Sequence, residues 1–176
     1  QSEARMDLEH ILRKNFRLEQ FRPGQQEAIE AILNGRDVLL VLPTGGGKSL
    51  CYQLPALVSD GLVLVISPLI ALMKDQVDSL SALGIPATFI NSSISQEEQR
   101  SRIDGLRLGQ FRLVYVAPER FRSPIFRKAL GEASLSLVAV DESHCVSQWG
   151  HDFRPDFLKI KDALERLGRP PTMALT

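Results

Sequence analysis

Six short apolar runs recur along the chain, and longer segments with helically spaced apolar residues separate them. The runs are rich in Val, Leu and Ile and alternate little with polar residues, which is typical of strands covered on both faces of a parallel sheet. They predict strands at residues 38–42, 62–67, 87–90, 113–117, 135–140 and 172–175. Because strands and helices alternate, we expect a doubly wound α/β domain with a mostly parallel sheet, helices on both faces and right-handed crossovers.

Helical spacing marks the segments between and ahead of these strands. Residues 7–14 and 25–34 are predicted helices before the first strand, and an Asn-Gly pair ends the second. Residues 69–83 form a further predicted helix, whose apolar side is made of Leu72, Val77, Leu80 and Leu83.

Two helix starts carry specific signals. Ser95 followed by Glu98 indicates a capping box, in which the hydroxyl accepts from a backbone N–H of the first turn. Ser123 followed by Pro124 supplies an N-cap and a proline at the first helical position.

Polar and unusual segments follow directly on the predicted strands. In a parallel sheet the carboxyl ends of all strands lie on one rim, where open α/β sheets bind ligands. We therefore expect five segments to converge there: residues 43–46, 67–68, 91–93, 117–120 and 141–144.

Composition narrows the class of protein. The chain has 176 residues, 44% hydrophobic and 24% charged, with a formal net charge of zero, so a polyanion would have to be bound by local clusters of cations. No apolar run approaches the roughly 20 residues that cross a bilayer, and the first residues do not resemble a signal peptide. Cys51 and Cys145 lie in no C-x-x-C pair, so we expect buried reduced thiols in a cytosolic protein, and no zinc. The ends, Gln1 and a terminal apolar TMALT, suggest a piece of a longer protein.

The stretch PTGGGKS follows the first strand and precedes a helix, which is the arrangement of a phosphate-binding loop. Backbone N–H groups of glycines can face phosphate oxygens because no side chain blocks them, and the following helix N-terminus favours anions. Lys48 would reach the β- and γ-phosphates, and the Ser49 hydroxyl would bind Mg²⁺. The alternative is a flexible glycine hinge. The predicted nucleotide contacts are Thr44, Gly45, Gly46, Gly47, Lys48 and Ser49.

Two adjacent carboxylates, Asp141 and Glu142, end the fifth strand. Two carboxylates at the end of an apolar strand suit a bound cation, so Asp141 is a candidate for direct or outer-shell Mg²⁺ binding. Glu142 is then placed to orient and deprotonate an attacking water. The alternative is a solvated strand end. His144 is either an ordinary packed histidine or a residue that couples this site to the next segment of the chain.

The segment SQWGHDFRPDF, residues 147–157, interleaves aromatic residues with cations and contains the one tryptophan of the sequence. Such loops form stacking platforms for unpaired bases. The alternative is that Trp149 and Phe153 are core residues. The basic cluster at residues 120–128 is either a phosphate contact or a solvated helix face.

The stretches PTGGGKSLCYQLPA, SPLIALMKDQV, APER and DESHCVSQWGHDFRPDF, in this order, resemble the RecQ family of superfamily 2 DNA helicases. The resemblance covers nearly the whole chain. It implies the first of two RecA-like lobes of a P-loop NTPase, with N-terminal helices and an adenine-recognition motif in residues 1–35 and the α/β core in 36–176. The second lobe and any accessory domains are not in this sequence.

The resemblance also implies site residues. Gln25 would bond the adenine edge and Arg22 would lie beside the base, while Leu18 stands where many members have a stacking aromatic residue. A DNA track would be lined by Ser67, Pro68, Asn91, Glu119, Arg120, Trp149, His151, Phe153 and Arg154.

The implied activity is ATP- and Mg²⁺-dependent 3′-to-5′ unwinding, with single-stranded or junction DNA and the second lobe as partners and no membrane. Localisation would be cytoplasmic (nucleoid) in a bacterium or nuclear in a eukaryote. Three alternatives stay open: a binding module without turnover, a superfamily 2 RNA helicase, and an unrelated P-loop kinase or transport ATPase.

Overall fold

A computed structural model of the chain describes residues 2–43, 47–141 and 154–176, with side chains from residue 7 onward and, in the last range, from residue 158. Within these ranges the chain builds a six-stranded, fully parallel sheet in the order β1-β6-β5-β2-β4-β3. The strands are β1 Val38–Leu40, β2 Leu62–Ile66, β3 Ala87–Ile90, β4 Leu113–Val116, β5 Leu135–Val140 and β6 Thr172–Leu175.

Helices cover both faces of this sheet. Their bounds are α1 Ser2–Phe16, α2 Gln25–Leu33, α3 Leu50–Gln53, α4 Pro55–Val58, α5 Ile70–Ala82, α6 Gln96–Arg107, α7 Pro124–Ala133 and α8 Arg154–Arg166, with a 3₁₀ helix at Pro118–Arg122. The described helices include none that is long and apolar enough to cross a membrane.

The core consists of two apolar clusters, one on each face of the sheet. Alternating strand residues divide between them: Val63 and Val65 of β2 belong to the cluster under α1 to α5, and Leu64 belongs to the cluster under α6 to α8. Burying each such side chain contributes about 1.5–3 kcal/mol. The predicted N-terminal helices share the first cluster, since Leu12 and Ile29 are fully buried in it.

The predicted strands are confirmed to within two residues, but the prediction that all are covered on both faces is wrong for β1. This strand lies at the edge of the sheet, and Leu39 is 72% exposed. β1 also ends at Leu40 rather than residue 42, although the backbone N–H of Leu42 still donates to the Thr176 carbonyl at 3.2 Å.

The apolar side of α5 differs by one residue from the predicted one. Met73, Val77 and Leu80 are buried, whereas Leu72 is 52% exposed. The core stripe runs through positions 73, 77 and 80 at helical spacing, and position 72 falls outside it. The expected role of Leu72 is therefore wrong.

Both predicted helix caps are present. The Ser95 hydroxyl accepts from the Glu98 N–H at 3.1 Å, and the Ser123 hydroxyl accepts from the Phe126 N–H at 3.3 Å. The Glu98 carboxylate accepts from Arg102 at 3.0 Å rather than from the Ser95 N–H, so of the predicted capping box only the Ser95 half is confirmed.

Candidate nucleotide-binding site

The candidate site lies on the carboxyl rim of the sheet, where the segment after β1 meets the ends of β5 and β2. Gly47, Lys48 and Ser49 lead into α3, and Asp141 follows β5. The Asp141 N–H donates to the Ile66 carbonyl at 2.9 Å, which fixes the end of β5 beside the end of β2. Parallel pairing thus brings distant parts of the chain to one place.

Lys48 and Asp141 form an ion pair at the centre of this rim. The Lys48 Nζ lies 3.2 Å from Asp141 Oδ1, and the two side chains are only 25% and 18% exposed. The predicted phosphate-binding lysine and the predicted metal-binding carboxylate are therefore in contact. A cation and an oxygen ligand side by side are what a nucleotide phosphate with its metal ion requires.

Gly47 has to be glycine for two reasons. Its φ is +74°, in the left-handed region, and a Cβ there would lie 2.6 Å from Nε2 of Gln25. The Gln25 amide donates to the Gly47 carbonyl at 2.9 Å, and its oxygen accepts from the Arg22 N–H at 2.8 Å. Gln25 is 3% exposed, so it links the N-terminal motif to the phosphate loop. Its predicted adenine contact stays a prediction and would use the remaining proton and lone pair of the amide.

Two cavities flank Gly47. One, of about 210 Å³, is lined by Leu18, Arg22 and Gln25 together with Gly47 and Ser49. Leu18 is 46% exposed there, so an apolar side chain is available to a base. Leu18, Arg22 and Gln25 thus line one cavity next to the phosphate loop, and their contacts with an adenine stay predictions.

The second cavity, of about 370 Å³, contains the ion pair. Lys48, Ser49 and Asp141 line it together with Gly47 and Ser67. A hydroxyl and a carboxylate are hard oxygen ligands of the kind that Mg²⁺ takes, usually with one or two carboxylates plus substrate phosphates. These residues therefore fit Mg²⁺.

A buried polar network lies beneath this cavity, and the sequence does not predict it. Gln53 Nε2 donates to Gln76 Oε1 at 3.1 Å and to the Tyr115 hydroxyl at 3.0 Å, which ties α3 to α5 and β4. Tyr52 packs edge-on against Tyr115, with centroids 6.1 Å apart. Burial raises the pKa of both phenols, so they stay neutral. The sequence feature that could have indicated this network is a glutamine, Gln53, inside the apolar run LCYQLPA.

Of the residues predicted to face DNA, Ser67 and Asn91 are buried. The Ser67 hydroxyl accepts from the Leu69 N–H at 3.1 Å, and Asn91 Oδ1 accepts from the Ser93 N–H at 2.8 Å. Both side chains shape the turns after β2 and β3, and Pro68 in the first turn is half-buried. Direct DNA contacts by these side chains stay predictions.

Glu119 and Arg120 lie in the 3₁₀ helix after β4, and both are half-buried. The Nε of Arg120 is buried and has no hydrogen-bond partner among the described residues. Desolvation lowers the pKa of this guanidinium, although it remains charged at neutral pH.

Several predictions lie outside the described residues. They concern Thr44, Gly45, Gly46, Glu142, His144, Cys145, Trp149, His151 and Phe153. Arg154 begins α8, and its side chain is also outside the described part. Cys51, by contrast, is fully buried, and burial raises the pKa of its thiol to about 12.

The chain is similar to known proteins in family, sequence and fold. The family described as DEAD/DEAH box helicase matches residues 22–176. The ATP-dependent DNA helicase RecQ of Haemophilus influenzae is 50% identical over 166 residues, covering 94% of this chain and 27% of that protein. RecQ of Bacillus subtilis is 49% identical over 168 residues, covering 94% and 28%. The ATP-dependent DNA helicase Q1 of Rattus norvegicus is 51% identical, covering 85% and 25%. The chain thus spans only about a quarter of the length of these relatives.

Solved structures confirm the fold class. The DUF1998 helicase MrfA, bound to DNA and AMPPNP, superposes with a TM-score of 0.75 at 22% identity, covering 96% of this chain and 26% of that one. A hypothetical ATP-dependent RNA helicase from Sulfolobus tokodaii superposes with a TM-score of 0.72 at 20% identity, covering 97% and 49%. At these identities the likeness establishes the RecA-like fold and nothing finer.

Proposed function

The chain belongs to the DEAD/DEAH box helicase family, and on that premise we propose that it is the ATP-binding first lobe of a RecQ-type DNA helicase. The contact between Lys48 and Asp141 carries the proposal, because it places a phosphate ligand and a metal ligand in one cavity. In the whole protein, this lobe would contribute to ATP-dependent 3′-to-5′ unwinding.

The phosphates would be bound by this chain's cation and backbone. Lys48 would contact the β- and γ-phosphates from its half-buried position. Gly47, which lacks a side chain, lets the loop approach the nucleotide closely, and Gln25 holds the carbonyl of that residue. Arg22 and Leu18 would border the adenine in the adjoining cavity.

Ser49 and Asp141 would hold Mg²⁺ through a hydroxyl and a carboxylate. The metal ion would neutralise charge that develops on the phosphate oxygens during in-line attack by water. Lys48 pairs with the Asp141 carboxylate in the same cavity. Glu142 would orient and deprotonate the water. We assign it this role because it follows Asp141 directly in the sequence.

Single-stranded DNA would cross the same rim. Trp149, His151, Phe153 and Arg154 would stack on bases and contact phosphates, which couples DNA binding to hydrolysis. Arg120, half-buried in the 3₁₀ helix after β4, would be a further phosphate contact. DNA rather than RNA is favoured because the close relatives bear the name DNA helicase. Competition between single-stranded RNA and DNA distinguishes the two substrates.

A second candidate function concerns the chain by itself: a nucleotide- and DNA-binding module without turnover. It is favoured by the quarter-length coverage of the relatives, because the family implies a second lobe that donates an arginine finger. Such an arginine contributes roughly 10³–10⁵ in rate.

A steady-state ATPase assay with and without single-stranded DNA tests both candidates. In a longer protein that contains the second lobe, we expect DNA-stimulated turnover that Lys48→Ala abolishes. Lys74→Ala is the matched control, since that exposed lysine pairs with the exposed Asp78 on α5 and lines neither cavity beside Gly47. The chain alone should show little turnover. Full activity of Lys48→Ala would refute the phosphate-site assignment, and strong DNA-stimulated turnover by the chain alone would refute the second candidate.

A further inference from the structure

A groove between α7 and α8 lies outside the nucleotide site. Its volume is about 330 Å³, and it shares no lining residue with either cavity beside Gly47. It belongs to the face of the sheet that α6 to α8 cover. We call it the α7–α8 groove; α7 lines it with Pro124, Arg127 and Lys128, and the end of α8 lines it with Asp162, Ala163, Arg166 and Leu167.

The groove carries excess positive charge. Arg127, Lys128 and Arg166 face it against one carboxylate, Asp162. Arg166 Nε lies 3.3 Å from Asp162 Oδ2, but this pair is highly exposed, and such pairs contribute only about 0–1 kcal/mol. Arg127 and Lys128 form no ion pair in the part of the chain that the structure describes. An incoming carboxylate would therefore meet two cations without displacing an internal partner.

The acidic side chains next to the groove form ion pairs with arginines that do not line it. The Glu132 carboxylate lies 3.4 Å from Nε of Arg107, and the Glu165 carboxylate lies 3.6 Å from a guanidinium nitrogen of Arg169. The basic cluster singled out from the sequence thus divides in two. Arg120 stays near the rim, whereas Arg127 and Lys128 line the α7–α8 groove.

The bottom of the groove is apolar. Ala163 is 6% exposed, and Leu167 packs against the second core cluster. Leu158 lies one helical turn before Asp162 on the same strip of α8 and is 54% exposed. Ile125, next to Pro124, is 59% exposed. Apolar surface therefore extends from the groove toward the start of α7.

Apolar surface bordered by cations favours one class of partner. A nucleic acid backbone is bound through its phosphates and does not need an apolar floor. A peptide that presents apolar side chains next to carboxylates matches both features, since it covers the apolar floor and neutralises Arg127 and Lys128. We propose that the α7–α8 groove is a docking site for an acidic peptide segment with bulky apolar side chains, supplied by a partner protein. The proposal does not depend on ATP turnover.

The test measures fluorescence anisotropy of a labelled synthetic peptide with two leucines followed by four glutamates, titrated with the full chain. We expect saturable binding that weakens when the leucines become alanine or the glutamates become glutamine, and that weakens with salt. Lys128→Glu and Arg127→Glu should each weaken it by roughly five- to ten-fold, because each reverses a charge that lines the groove. The matched control is Lys14→Glu, an exposed lysine on α1, on the other face of the sheet, which should bind the peptide like the unchanged chain.

Three results would overturn the proposal. The first is no binding of the peptide at millimolar chain concentration. The second is equal binding by the Lys128→Glu, Arg127→Glu and Lys14→Glu variants. The third is a loss of affinity for an oligo-dT strand in the two groove variants with no change for the peptide, which would assign the groove to nucleic acid. Unchanged thermal unfolding of the variants ensures that lost binding reflects the groove.

Discussion

Gly47→Ala probes the link between the N-terminal motif and the phosphate loop. The new Cβ would be 2.6 Å from Gln25 Nε2, well inside ordinary contact distance, so Gln25 would have to move. Gln25 is buried and holds hydrogen bonds of 2.8 and 2.9 Å to Arg22 and Gly47, and the movement would break them. The substitution therefore acts through Gln25 as well as through the backbone of residue 47.

The cost separates into two parts. An alanine at positive φ costs about 1–2 kcal/mol, partly offset by about 0.4–1 kcal/mol from a less flexible unfolded chain. Two lost hydrogen bonds at about 0.5–1.5 kcal/mol each add about 1–3 kcal/mol. The sum is about 2–4 kcal/mol for Gly47→Ala. Gly84→Ala is the matched control, since its φ is +78° and nothing lies within 4 Å of the new Cβ, so only the backbone part of about 1 kcal/mol applies.

Urea unfolding of both variants, alone and combined with Gln25→Ala, measures these parts. In the Gln25→Ala background, Gly47→Ala should cost only the backbone part, because the clash and the hydrogen bonds are gone. The reasoning is refuted if Gly47→Ala and Gly84→Ala are equally destabilising, or if the cost of Gly47→Ala is the same with and without Gln25.

Three smaller predictions follow from the packing. Met73→Ala should lower the free energy of unfolding by about 2–5 kcal/mol, and Leu72→Ala by less than about 0.5 kcal/mol, because of these two residues only Met73 is buried. Equal urea midpoints of the two variants would contradict the assignment of the buried face of α5. Ser95→Ala should cost about 0.5–2 kcal/mol through loss of the cap, and an unchanged unfolding curve would rule the cap out as a contributor. Cys51, with its pKa raised to about 12, should stay protonated and resist iodoacetamide at pH 8 until the chain unfolds. Mass spectrometry of the peptide that contains Cys51 measures this, and rapid labelling of Cys51 in the folded chain would contradict its burial.

Much of the fold could be predicted from the sequence because apolar runs and turn signals are local. All six strands and both serine caps follow from residues close in the chain. The exposure of Leu39 could not be predicted in this way, since whether a strand lies at the edge depends on sheet order. The misplaced Leu72 has a similar cause, because Leu72 and Met73 are both apolar and only tertiary packing decides which of them is buried.

The sequence predicts those residues of the candidate site whose type and spacing indicate their chemistry. The sequence predicts Lys48, Ser49 and Asp141 as phosphate and Mg²⁺ ligands, and the parallel sheet brings them to one cavity. Gln25 was identified as well, but its bond to the Gly47 carbonyl was not, because a contact between residues far apart in sequence leaves no local pattern. The same holds for the network centred on Gln53, whose partners come from two other elements.

The central claim is that Lys48, Ser49 and Asp141 bind a nucleotide's terminal phosphates with magnesium. Isothermal titration of the chain with a non-hydrolysable ATP analogue, in Mg²⁺ and then in EDTA, tests it most directly. Loss of a charge-assisted hydrogen bond of about 1.5–3 kcal/mol predicts at least roughly ten-fold weaker binding for Lys48→Ala. Asp141→Asn should remove the difference between Mg²⁺ and EDTA, and Lys74→Ala should leave binding unchanged. Equal affinity of the unchanged chain and Lys48→Ala, with no effect of Mg²⁺, would contradict the account.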